Sequence, residues 1–175
     1  GEPPVILDSL ETKKSNDQIQ EFLNNKGYFK SSVKDSIVFR KKKKGGGKAK
    51  VYYKIDMGHR YSISKLIYQI SDTGIAELVR SDTANSLVIP GAPYDIDRLE
   101  NERARVTKNL KNNGYYTFSK DQVFFEADST VGNKQVNVTL RIKPQKTIIT
   151  PDSIIISNHV KYHINTIIAF FSCIK

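Results

Sequence analysis

Ile19, Phe22 and Leu23 stand at i, i+3 and i+4, the spacing of one helical face, and Gly27 follows where a left-handed helix end is cheap. Ser15, three residues before Gln18, fits a capping box, so the pattern predicts a helix of about three turns starting there. Alternation then takes over. Val33 to Phe39 and Val51 to Ile55 predict a hairpin, the second strand setting Val51, Tyr53 and Ile55 against Tyr52 and Lys54. Tyr61 to Ile70 predicts a further strand after Asp56-Met57-Gly58. A short helix capped by Asp72 or Thr73 carries Ile75, Leu78 and Val79, and Pro90-Gly91-Ala92-Pro93 breaks the chain after it. Asp95 caps the strongest helix, in which Ile96, Leu99, Val106 and Leu110 keep helical spacing and Asp97, Glu100 and Glu102 suit its positive end. Arg103 interrupts that stripe, which its aliphatic stem or an ion pair with Glu100 or Glu102 explains. Gln122 to Asp128 and Val136 to Ile142 predict a second hairpin through Gly132-Asn133. The regular Val136, Val138, Leu140, Ile142 alternation requires a covered face, which the two helices supply. Beyond Pro144 the pattern predicts a loose connection through Pro151, then a strand at Tyr162 to Ile168.

These elements recur as a block. Asn24-Asn25-Lys26-Gly27-Tyr28-Phe29 returns 87 residues later as Asn112-Asn113-Gly114-Tyr115-Tyr116, each time after a helix ending in leucine and before a strand. Gly27, Tyr28 and Phe29, and again Gly114, Tyr115 and Tyr116, are therefore structural corners from helix to strand. Tyr61 to Ile67 is echoed by Tyr162 to Ile168 at a displacement of 101 residues, so the second connection is longer than the first. The repeat divides the chain into a partial unit at 1–59, a complete β-α-α-β-β unit at 60–145 and the start of another at 146–175. The short junction from Met57 to Tyr61 implies that the first two units move together, while the third is freer. Domains of this size bury only roughly 60–65% of their unfolded surface, so neighbours are expected to brace one another.

Charge changes the picture at one place. The 175 residues carry a formal net charge of +10, yet Arg40, Lys41, Lys42, Lys43, Lys44, Lys48 and Lys50 account for most of it, around Gly45-Gly46-Gly47. That basic hairpin tip is either simply solvated or a contact for anionic headgroups or an acidic partner. Its confinement to one tip, with the aromatics marking core corners, argues against nucleic-acid binding. The single cysteine, Cys173, excludes an internal disulfide framework. The start at Gly1-Glu2-Pro3-Pro4 has no signal-peptide pattern, and the longest apolar run, Ile167 to Phe171, is far short of the ~20 residues of a spanning helix.

Catalytic chemistry finds no foothold. His159 and His163 have i, i+4 spacing, but in a segment that reads as loop and strand, where the two side chains stand over ~10 Å apart and hold no metal. No phosphate loop, nucleophile elbow or dinucleotide fingerprint occurs, and neither a catalytic residue nor a cofactor or metal site is expected.

The order strand, helix, helix ending in Gly-Tyr-aromatic, strand, strand resembles the POTRA (polypeptide-transport-associated) repeats of outer-membrane β-barrel assembly factors of the BamA and TamA type. So does the Gly58-His59-Arg60-Tyr61-Ser62-Ile63 junction, and so does Pro93-Tyr94-Asp95 opening a helix with Leu99 and Arg103. The resemblance spans almost the whole chain; the loop from Gln145 to Lys161 and the basic tip depart from it. It implies an α+β fold of tandem POTRA repeats, each β-α-α-β-β with a three-stranded mixed sheet on two antiparallel helices. It further implies a periplasmic region at the outer membrane, attached to a membrane-embedded barrel absent from this fragment. The implied partners are unfolded outer-membrane β-barrel proteins and accessory assembly proteins. If each hairpin joins its opening strand through its second member, the first hairpin strand is left at the sheet edge, open to an added client strand. The edge residues so implicated are Val33, Ser36 and Val38 in one unit and Gln122, Val123, Phe124, Phe125 and Glu126 in the next. The alternative is a POTRA-type structural module that docks one folded partner in a secretion or cell-division complex.

Overall fold

A computed structural model describes residues 9–41, 47–150 and 153–169. The order of elements is α1 (Ser9–Asn25), β1 (Ser32–Lys41), β2 (Gly47–Asp56), β3 (Ser62–Gln69), α2 (Thr73–Ser81), α3 (Ile96–Asn112), β4 (Val123–Asp128), β5 (Gln135–Ile142), β6 (Gln145–Thr150) and β7 (Ser153–Ser157). This is an α+β fold. Strands β3, β5 and β4 form a mixed sheet in that spatial order, while β1 pairs with β2 and β6 with β7.

Two compact units emerge. The first joins Gly1–Leu66, Val88–Arg98 and Ala127–Val138; the second joins Ile67–Leu87, Leu99–Glu126 and Thr139–Lys175. Neither coincides with a sequence repeat, because residue 60 falls inside the first and residue 146 inside the second.

In the first unit, Leu23, Tyr61, Ile63, Val88, Tyr94, Val136 and Val138 form the core. Helix α1 ends as its sequence dictates. Tyr28 N–H donates to Leu23 O at 2.9 Å and Gly27 N–H to Asn24 O at 3.0 Å, the paired bonds of a Schellman cap, with Gly27 at φ +87. Its start differs from the expectation. The helix begins by Ser9, and Ser15 lies in its interior with its Oγ donating back to Glu11 O, so Ser15 is not the cap. Of the expected stripe Leu23 is buried, Ile19 half-buried and Phe22 exposed, since a two-stranded hairpin offers only a narrow surface to cover.

The hairpin β1–β2 is longer than its apolar core suggested. Ser32 pairs with Asp56 at one end and Lys41 with Gly47 at the other. Helix α1 meets it through Asn16, whose side chain donates to Asp35 at 2.7 Å.

In the second unit, Ile75, Val79, Leu99, Val106, Leu110, Phe118, Val123 and Leu140 are almost fully buried. Each contributes on the order of 1.5–3 kcal/mol relative to exposure. Asp72 is the cap of α2, accepting from Ile75 N–H at 3.2 Å. Helix α3 repeats the ending of α1, with Tyr115 N–H to Leu110 O and Gly114 N–H to Lys111 O, both at 3.1 Å, and Gly114 at φ +96.

Three expectations are overturned in this region. The segment after Pro144 is not a loose loop, because β6 and β7 pair antiparallel with Gln145 opposite Ser157. Tyr162 to Ile168 carries no strand, and Ile164, Ile167 and Ile168 are exposed. A strand exists only against a partner, and among the described residues none is offered there. Gln122 belongs to a 3-10 turn, Lys120–Gln122, and not to β4; its side chain accepts from Ser119 N–H at 2.9 Å. The lead-in at Pro3 to Leu7, Lys42 to Gly46, and Cys173 lie outside the described residues.

Candidate functional site

The outer side of β4 is the first candidate surface. In the order β3-β5-β4 the second hairpin strand lies beside the opening strand, and the first is at the edge. Two bonds on its flank fix which amides face outward. Gln122 O, on the β5 side, accepts from Lys143 N–H at 2.8 Å, while Val123 O accepts from Arg103 Nε at 2.6 Å. Because main-chain groups alternate along a strand, Val123, Phe125 and Ala127 turn theirs to the open side.

Arg103 occupies the start of that side. It also donates to Lys120 O at 3.1 Å and pairs with Glu100, so the residue that interrupts the α3 stripe ties the helix to the first turn of β4. The open stretch is thereby reduced to Phe125–Asp128. Of the predicted edge residues, Val123 is fully buried, Phe124 and Phe125 are half-buried, and Glu126 is exposed with an ion pair to Arg141 at 2.9 Å. Phe124 lies under Lys143, whose Nζ is 5.8 Å from the ring centre, beside an open groove of about 350 Å³ lined by Gln69, Ser71 and Pro144.

Val33, Ser36 and Val38 lie on β1, which pairs with β2 alone in a two-stranded sheet. Val33 is half-buried, Ser36 and Val38 exposed. Arg40, Lys48 and Lys50 are exposed on the same hairpin; Lys41 ends β1 opposite Gly47, and Lys42, Lys43 and Lys44 lie outside the described residues.

The corners do more than turn the chain. Gly27 O accepts from Tyr61 N–H at 2.9 Å, and Gly114 O accepts from Tyr162 N–H at 2.8 Å. Each helix-end glycine therefore holds the tyrosine that the sequence echo pairs. At the first corner Phe29 packs on Tyr61 and Tyr94, each with ring centres 5.1 Å apart, and Tyr28 lies against Arg60. Lys26 Nζ bonds Asp95 at 3.0 Å and Asp97 at 2.6 Å, and those hydrogen bonds, Asp97 first, hold its pKa above the ordinary value. Burial alone would raise the Asp95 carboxyl, but the Lys26 hydrogen bond and charge bring it below its usual value.

At the second corner Tyr115 is buried and Tyr116 exposed. There His159 supplies the hold. Its N–H donates to Asp72 Oδ2 at 2.8 Å, its Nδ1 stands 3.4 Å from the same oxygen, and its ring lies 5.1 Å from Phe118. Among the described residues no group of three or more His, Cys, Asp or Glu is placed to hold a metal ion, and no helix is long and apolar enough to cross a membrane.

One cluster escaped the sequence reading. Glu102 is 0% exposed and accepts from Arg105 twice at 2.8 Å, from Leu87 N–H at 2.9 Å and from Ser86 Oγ at 3.1 Å. Arg105 also pairs with Asp82, which takes Asn85 at 2.6 Å and Asn109 at 2.8 Å. The Asn85 hydrogen bond, then Arg105, lowers the Asp82 pKa, while Glu102 first and Asp82 next raise that of Arg105. The available signal was position, since Glu102 falls three residues after Leu99 and four before Val106, on the apolar stripe itself.

Compared with solved structures, the chain is similar in fold to the crystal structure of Haemophilus influenzae BamA POTRA3-5, with a TM-score of 0.50 and 18% sequence identity. The match covers 80% of this chain and 52% of that one, so the chain spans about half the length of the structure it matches. No protein-family model and no curated protein sequence matches it. The fold is that of POTRA repeats.

Proposed function

We propose that this chain is the periplasmic POTRA region of an outer-membrane protein assembly factor, parsed into repeats at 1–59, 60–145 and 146–175. It takes unfolded outer-membrane proteins as added strands and hands them on toward a barrel in the membrane, alongside accessory assembly proteins. The observation that carries this reading is the edge position of β4 in its sheet, with outward amides beyond Val123 on half-buried or exposed residues. Main-chain pairing needs no particular client sequence, which suits a receptor for many different barrels.

The size of the open stretch argues for transient capture. Three or four backbone hydrogen bonds contribute together about 1.5–6 kcal/mol at a net ~0.5–1.5 kcal/mol each, a range that brackets the ~4 kcal/mol of a millimolar complex. A client so held is easily released.

Ala127 is exposed on the outward register, so Ala127→Pro removes one open N–H while leaving the β5 ladder intact. With a photo-crosslinker at position 126, an alternating strand peptide from a barrel protein is expected to crosslink to the parent and severalfold less to Ala127→Pro. Unchanged crosslinking by a variant with the parent's melting temperature would end the strand-addition reading.

A further inference from the structure

The register of the β1–β2 hairpin sorts its side chains in a way the linear order conceals. Ile37 opposes Val51 and Asp35 opposes Tyr53, on the face that α1 meets through Asn16. The opposite face carries Lys34 opposite Lys54, Val38 opposite Lys50 and Arg40 opposite Lys48, with Tyr52 between them opposite Ser36. Every one of these residues is exposed, and none of the five cations is ion-paired among the described residues. The one acid on this face, Asp56, stands at its end opposite Ser32. Lys34 and Lys54, remote from the glycine tip in sequence, thus extend the cationic surface along the ribbon.

We propose that this face docks on a bilayer surface rich in anionic phospholipid headgroups. The strands are 10 residues each, so the face runs about 33 Å at ~3.3 Å per residue, with cations on both strands over most of that length. A plane of phosphates matches such a flat and extended array. A folded acidic protein is the poorer match, because a stable protein interface has an apolar centre within about 800 Å² per partner and here only Val38 and Tyr52 are available. Tyr52, 52% exposed amid the cations, has the amphipathic ring that settles at the headgroup boundary. Each Lys or Arg beside an anionic surface raises partitioning about fivefold, so five act together on the order of 10³-fold at low salt, and less as salt screens them. The proposal uses the hairpin and not β4, so it and strand addition fail separately.

The chain contains no tryptophan, so Tyr52→Trp installs a single reporter on the face. Vesicles of mixed phosphatidylglycerol and phosphatidylcholine are expected to float the variant and shift its emission to the blue, reversibly with salt, whereas phosphatidylcholine alone does neither. Adding Lys34→Ala and Lys54→Ala is expected to reduce partitioning about 25-fold, at fivefold per residue. The charge-matched pair Lys65→Ala and Lys108→Ala, both exposed elsewhere, is expected to reduce it far less. Equal losses from the two pairs would mean a general field effect and overturn the proposal. So would flotation with silent Trp emission, which places the contact elsewhere, or a shift given by polyglutamate but not by the vesicles, which makes the partner an acidic polypeptide.

Discussion

Glu102 shows how much one side chain can organise. A fully buried carboxylate is costly unless its lone pairs are filled, and here Arg105, Ser86 and the Leu87 amide fill them, pinning the segment after α2 to the middle of α3. Glu102→Ala leaves the Leu87 N–H without its acceptor and Arg105 with Asp82 as its one remaining carboxylate. It is expected to cost about 3–5 kcal/mol, read as a lowered urea midpoint, while Glu102→Gln costs less by keeping one acceptor. Acid acts on the same network and on Arg103's partner. Asp82, through Asn85 and Arg105, and Glu100, through Lys120 and Arg103, have folded-state pKa values below their ordinary 3.8 and 4.5. A lowered value means the unfolded chain binds the proton more readily, so their stabilisation is complete above the ordinary values and disappears as pH falls through the lowered ones. The urea midpoint is expected to hold between neutrality and about pH 5 and to drop below about pH 4.5, with a shallower drop in Asp82→Asn. At this scale the sequence offered Arg103 either Glu100 or Glu102 as a partner, and Arg103 bonds Glu100 and the β4 carbonyl while Arg105 takes Glu102. Less than two turns of helix, Glu100 to Arg105, offered several equivalent pairings, and only the loop packed beside α3 chooses among them.

The helix-end corner is the element whose conformation is written most locally. Gly27 and Gly114 both have positive φ, and both are approached closely from across the fold. A Cβ at Gly114 would stand 2.7 Å from Tyr162 O, and one at Gly27 would stand 3.0 Å from Tyr94 O. Gly91 shares the conformation, φ +86, but has nothing within 4 Å. Gly91→Ala is therefore expected to cost only the backbone strain, about 1–2 kcal/mol, and Gly27→Ala and Gly114→Ala clearly more, as measured by thermal melting. The glycines were legible because a helix end imposes its demand within five residues. The hairpin β6–β7 was not anticipated, although Pro151-Asp152 between runs of threonine and isoleucine was the available turn signal. Tyr162 to Ile168 has the better alternation and no strand, because periodicity states what a segment suits and a ladder requires a neighbour.

Across the whole molecule, the same bond from glycine carbonyl to tyrosine amide occurs twice in different surroundings. Tyr61 is 8% exposed among Phe29, Tyr94 and the Lys26–Asp95–Asp97 pairs, whereas Tyr162 is 51% exposed and held otherwise by His159 on Asp72. The Tyr61 amide is expected to exchange its hydrogen only with global opening, and the Tyr162 amide orders of magnitude faster through local release. Asp72→Ala is expected to hasten exchange at His159 further, while costing α2 its cap, about 1 kcal/mol. What the sequence determined by itself was the set of local demands: helix faces, glycine ends, the alternation of β5, and their recurrence 87 residues apart, since each depends on neighbours a few positions away. The tertiary structure alone decided which strand lies at an edge, which acid takes which base, and that Lys34 and Lys54 share a face with Arg40, Lys48 and Lys50. Those outcomes rest on register and on contacts between distant segments, where a shift of one residue reverses every side chain and no local pattern records the choice.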